Sequence, residues 1–173
     1  MKKLIAILLL TSVFSIGAFA DEMGPMQYSG SYISFAVGGV SNIHVNEDFF
    51  GFKASAKGDN TLTGEIGLGY IFPRNFWQQA HFSLGLNALI LHGDSISGVA
   101  PMIDLGVTKY LTPRFNLNLH WSTLIFINQI NAGIGYQIAP GTNIFLRGGI
   151  FTGSGYYASF SAGTASVGIQ FLF

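Results

Sequence analysis

Asp104, His120 and Ser122 are the residue types of a hydroxyl-activating relay, in which an imidazole takes the hydroxyl proton and a carboxylate orients the imidazole. His120 and Ser122 occupy alternate positions, so on an extended strand both side chains leave the same face. A turn at Thr112-Pro113 would fold Asp104 back opposite His120 or Ser122. A shared face is not a contact, and the three residues are therefore weak candidates for nucleophilic catalysis. Glu65 and Arg147 are a second pair of chemically able groups, one acid and one base. His44, His81 and His92 show no metal-ligand spacing, and with no Cys in the chain neither a thiolate nor a Cys-bound metal is available. Neither a cofactor nor a metal is expected. The glycines at 64, 67 and 69 have the form of a phosphate loop, but no helix pattern follows them, and relief of crowding is the better reading.

The elements that hold these residues follow from composition and period. Charged residues are 9% of the chain, against roughly 25% in soluble domains, too few to cover a water-facing surface. Long apolar runs are nevertheless missing beyond the first residues. Alternating strands in lipid reconcile the two facts, because an apolar outer row and a small or polar inner row average to an apolar chain. No sustained helical period is present. Strands are expected at about 28–40, 61–72, 79–91, 98–111, 114–126, 129–138, 142–152 and 158–173. Phe115-Asn116-Leu117-Asn118-Leu119-His120-Trp121-Ser122 shows the alternation best, with odd positions apolar and even positions polar. Each strand is close to the 9–11 residues that cross a bilayer when tilted. The expected fold is all-β, an eight-stranded antiparallel up-and-down transmembrane barrel.

Residues 1–20 have the parts of a secretory signal: Lys2 and Lys3, an apolar core from Leu4, and Ala18-Phe19-Ala20 as a cleavage site. The barrel is then expected over 21–173. Without Lys2 and Lys3, six basic side chains stand against eight acidic ones, a net charge of −2 that offers no field for nucleic acid.

Connections alternate in character. Pro73-Arg74-Asn75, Thr112-Pro113-Arg114 and Ala139-Pro140-Gly141 form turns at one end, each three or four residues after Tyr70, Tyr110 or Tyr136. The opposite end has one long loop, Ser41 to Asn60, and three short connections. Aromatic residues gather near strand ends, as for an interfacial belt: Tyr70, Phe72, Trp77, Phe115, Tyr136, Phe171 and Phe173 on one side, Phe126, Tyr156, Tyr157 and Trp121 on the other.

On this register Glu65, Asp104, His120 and Arg147 point inward at a similar depth. Buried charges need partners. Glu65 with Arg147 and Asp104 with His120 are the expected pairs, and Arg147 should face Gly133 or Gly135. Two readings follow, a polar plug that holds the barrel shut or a path for protons or ions.

The last residues, Ser166-Val167-Gly168-Ile169-Gln170-Phe171-Leu172-Phe173, resemble the C-terminal signal read by the assembly machinery of outer-membrane barrels. Ser166, Gly168, Phe171 and Phe173 carry the match. The mature chain resembles the small eight-stranded family that includes the OmpA transmembrane domain, OmpX and the opacity proteins. The resemblance implies the outer membrane of a Gram-negative cell. It implies lipid, lipopolysaccharide and the assembly machinery as partners. Relatives in that family include anchors, adhesins and lipid-modifying enzymes, so the fold does not choose among them; the expected role is structural or surface interaction, without catalysis. A narrow, porin-like passage is one alternative. A lipid-modifying enzyme is another, because the H-x-S string at His120 and Ser122 resembles that of outer-membrane lipid A deacylases. Those enzymes look to need an acid after the Ser, and no Asp or Glu follows Asp104 here. In the long first loop, Phe49, Phe50 and Phe52 are candidates for an extracellular ligand or for packing on the barrel rim.

Overall fold

The computed structural model describes residues 28–46, 61–73, 80–93, 97–154 and 159–173. They form eight strands: β1 (Gly30–Asn46), β2 (Thr61–Ile71), β3 (Ala80–His92), β4 (Ser97–Tyr110), β5 (Phe115–Leu124), β6 (Ile127–Ala139), β7 (Thr142–Ser154) and β8 (Ser159–Leu172). Each pairs antiparallel with its sequence neighbours, and β8 returns to β1 to close a barrel. Closure leaves no strand edge open, the condition for a sheet surrounded by lipid.

The expected alternation decides which row faces where. Ile66 and Leu68 of β2, Leu84 and Leu86 of β3, and Leu117 and Leu119 of β5 lie exposed on the outer wall. Their neighbours Glu65, Ser83, Asn116 and Asn118 are buried inside. Burying one Leu or Phe gains roughly 1.5–3 kcal/mol. A wall with rows of them is stable against acyl chains and unstable against water. The fold is therefore an eight-stranded antiparallel up-and-down transmembrane β-barrel.

Most strand limits fall within two or three residues of those read from the sequence. The clear departure is β1, which runs to Asn46 where a loop from Ser41 was expected. Beyond Val40, its last residue paired with β2, β1 continues along β8, after a register shift between Ser41 and His44. That shift breaks the alternation that would have marked the extension.

Both described chain ends lie at one end of the barrel, the terminal end. There the Thr112 hydroxyl accepts from the Arg114 and Phe115 amides at 3.3 and 2.9 Å. Gly141 takes φ 73° in the β6–β7 turn, a conformation that suits Gly. The Ser31 and Phe173 backbones exchange hydrogen bonds of 3.1 and 2.9 Å across the closing seam. At the far end β5 and β6 are joined by the two residues Ile125 and Phe126. Residues 1–27 and the first loop with Phe49, Phe50 and Phe52 lie outside the described residues, as do Trp77, Tyr156 and Tyr157.

The lumen is layered. Tyr32, Ile71 and Leu172 pack together near the terminal end. Leu89, Met102 and Phe151 pack together toward the far end, with Leu91, Ala100, Ile127 and Phe160 against them. Polar side chains occupy the level between.

Candidate functional site: the polar layer of the lumen

The β4–β5 hairpin turns where the sequence indicated and pairs Asp104 with Ser122. The Ser122 hydroxyl donates to Asp104 Oδ1 at 2.7 Å, and His120 Nδ1 lies 2.9 Å from Asp104 Oδ2. On the other side of the imidazole, Arg147 Nη2 is 2.9 Å from His120 Nε2. A guanidinium only donates, so Nε2 must accept and the ring proton sits on Nδ1, where it donates to Asp104. His120 is thus a neutral link between a carboxylate and a guanidinium.

This order differs from a catalytic relay. There the imidazole stands between acid and hydroxyl. Here the carboxylate stands between imidazole and hydroxyl, and the nitrogen that would take a proton from Ser122 faces Arg147. The three residues named from the sequence meet in the folded chain, with Asp104 accepting from both the Ser122 hydroxyl and His120.

Arg147 extends the network. Its Nε donates to Asn118 Oδ1 at 3.0 Å, and its guanidinium carbon lies 3.9 Å from the centre of the Phe145 ring, a cation–π contact. Asn118 reaches Asn116 at 3.4 Å, and Asn116 donates to Asn143 at 3.1 Å. These bonds join β5 to β7 over the intervening β6. They pass because β6 carries Gly133, the partner of Arg147, and Gly135. A Cβ on Gly133 would meet the Leu146 carbonyl and stand 2.7 Å from Arg147 Cγ, and one on Gly135 would come within 2.5 Å of Asn116 Oδ1.

The expected Glu65–Arg147 pair needs correction. Glu65 Oε1 accepts from Gln129 Nε2 at 3.1 Å, and the hydrogen bonds of Arg147 go to His120 and Asn118. Among the described residues the ion-pair contact within 4 Å in this layer is His120–Asp104. The reason is geometric. Arg147 leans across the two glycines of β6 toward β5, so it meets β5 side chains before any on β2. Glu65, Asp104, His120 and Arg147 nevertheless border one cavity, as their common depth implied, together with Tyr32 and Phe145. That cavity measures about 10 Å³, the space of roughly one water sphere.

Two contributors escaped the sequence reading. Phe145 supports the guanidinium, yet in the sequence it is one more Phe on an alternating strand. Leu89, Met102 and Phe151 form an apolar layer where small or polar residues were expected; the run Ala88-Leu89-Ile90-Leu91, apolar on both faces, was the available signal. Of the C-terminal set, Ser166 is buried beside Arg147 in the register, while Phe171 and Phe173 face outward.

A closed antiparallel cylinder with an apolar outer wall and a polar interior defines the class, that of small transmembrane β-barrels. The crystal structure of Neisserial surface protein A shares this architecture with a TM-score of 0.53, at 12% identity, over 84% of this chain and 98% of that one. At that identity the likeness is one of fold. No family model and no curated protein matches the chain.

Proposed function

We propose that the protein is an integral outer-membrane barrel with a structural or surface-interaction role, its lumen closed by side chains, and that it neither conducts solutes nor catalyses a reaction. The observation that carries this reading is the continuous network from Ser122 through Asp104, His120, Arg147 and Asn118 to Asn143. It links β4, β5 and β7 on one side of the lumen, the Gln129–Glu65 hydrogen bond crosses from β6 to β2, and an apolar layer lies beyond. Every link satisfies a group that would be costly to bury alone. On this reading the terminal end faces the periplasm. The partners are outer-membrane lipid and lipopolysaccharide around the wall, and any extracellular ligand is met by the first loop. Nucleic acid is no partner, and no cofactor or metal is used. Ser166, Gly168, Phe171 and Phe173 serve recognition by the assembly machinery, so deleting Phe173 lowers folded protein in cells while refolding into detergent persists.

Vesicles carrying the purified protein should not swell in isotonic small sugars, and lipid A mass spectra should be the same with and without it. Recovery of the folded protein from the soluble periplasm would overturn the location. Swelling would favour the pore, and a lost acyl chain would favour a hydrolase at His120 and Ser122.

A further inference from the structure

The far end of β5–β6 departs from what a water-exposed hairpin requires. Its tip residues, Ile125 and Phe126, are 80% and 64% exposed, and Ile125 is the most exposed large apolar side chain described. Ile125 also holds φ 44°, at the position where a two-residue hairpin favours Gly or Asn and where a β-branched residue is an outlier. Neither turn chemistry nor solubility accounts for isoleucine and phenylalanine there. By contrast, the described turns at the terminal end carry Thr112, Arg114 and Gly141.

Strand length sets the depth of this tip. β5 has ten residues, about what a tilted strand needs to cross the hydrocarbon and no more. β4 has fourteen, and its segment Ser97–Met102 continues beyond Ile103, the last residue paired with β5. The wall is therefore low at β5–β6, and its tip leaves the barrel near the level at which the acyl chains end.

The outer wall just below the tip behaves as lipid-facing surface does. Thr123 and Asn128 are paired across the hairpin with side chains outward. Asn128 Oδ1 accepts from the Thr123 hydroxyl at 2.9 Å and from the Trp121 indole at 3.1 Å. Water would make such pairing unnecessary, whereas in lipid polar groups must satisfy one another. Beside this cluster the apolar belt continues up β4, from Leu105 through Ile103, the partner of Thr123, to Val99, all exposed on the outer wall and reaching past the level of the tip.

We infer that the β5–β6 hairpin is seated in the outer leaflet, with Ile125 and Phe126 among lipid acyl chains at the headgroup boundary, so that the barrel presents a lowered, lipid-covered rim on this side. The occupant of the patch is membrane lipid, argued from its continuity with the lipid-facing belt. This rests on the membrane reading above.

The chain has no Cys, so single-cysteine nitroxide labels are unique. Phe126→Cys, Ile125→Cys, Leu119→Cys in mid-belt and Thr112→Cys in a terminal-end turn would be labelled in the full mature chain. Each would be reconstituted in phosphatidylcholine vesicles, and collisions with oxygen and with a water-soluble nickel chelate compared by power saturation. Expected is an oxygen excess at 126 and 125 close to that at 119, with nickel dominant at 112. Nickel dominance at 125 and 126 with oxygen dominance at 119 overturns the seated hairpin and leaves the membrane reading intact. Nickel dominance at 119 overturns both. Dipolar broadening between labels at 126 would replace lipid by a second copy of the chain and overturn the inference.

Discussion

The two halves of the lumen are closed by different physics. Toward the far end, Leu89, Met102 and Phe151 fill space by shape and apolarity. At mid-depth, Asp104, His120, Arg147 and Asn118 fill it by directed hydrogen bonds. The first kind of closure depends on volume and tolerates any apolar group of the right size. The second depends on donor and acceptor identity. Removing one member strands its partners, and conserving volume does not protect them.

The largest effect should follow from removing the cation. Arg147→Ala deprives Asn118 and His120 of a donor and leaves Asp104 and Glu65 facing the cavity without their guanidinium neighbour. Breaking one side of a buried charged set costs about 3–5 kcal/mol, readable from urea unfolding in detergent. A loss under about 1 kcal/mol, the range of an exposed ion pair, would mean that water already solvates this layer.

Size-conserving changes in the two halves sharpen the contrast. Asp104→Asn keeps the shape but turns an acceptor for two donors, Ser122 and His120, into a group that also donates. It should cost about 1–3 kcal/mol. Met102→Leu, in the apolar layer, should cost less than about 1.5 kcal/mol. Equal costs would remove the distinction between the halves. The smallest expected effect is a difference of couplings. In double-mutant cycles Arg147 should couple more strongly to His120 than to Glu65. The reverse order would restore the Glu65–Arg147 pairing.

The architecture was largely legible because each physical cause had a local trace. Alternation marked the strands, Pro and Gly marked the terminal-end turns, and the turn at Thr112-Pro113 put Asp104 opposite His120 or Ser122, the second of which is its partner. The same arithmetic placed Arg147 opposite Gly133 or Gly135, and Gly133 is its partner. Contacts between strands that are not neighbours left no such trace. Which side chains meet across a barrel depends on its stagger and on how far a long side chain leans. Arg147 was thus paired on paper with the opposite charge on β2, and in the folded chain it lies against His120 of β5. The β1 extension was missed because the bulge at Ser41 changes the phase of the pattern. The β5–β6 connection was expected near Asn128, the nearest turn-forming residue, and falls instead at Ile125 and Phe126, because Leu124-Ile125-Phe126-Ile127 reads as uninterrupted strand.

The central claim is that side chains close this lumen, and single-channel recording in planar bilayers tests it most directly. The wild-type barrel should give no steady conductance steps, and Arg147→Ala should also stay silent while Leu89, Met102 and Phe151 close the lumen beyond it. Steady open-channel steps from the wild-type protein would contradict the claim and identify the polar layer as the lining of a pore.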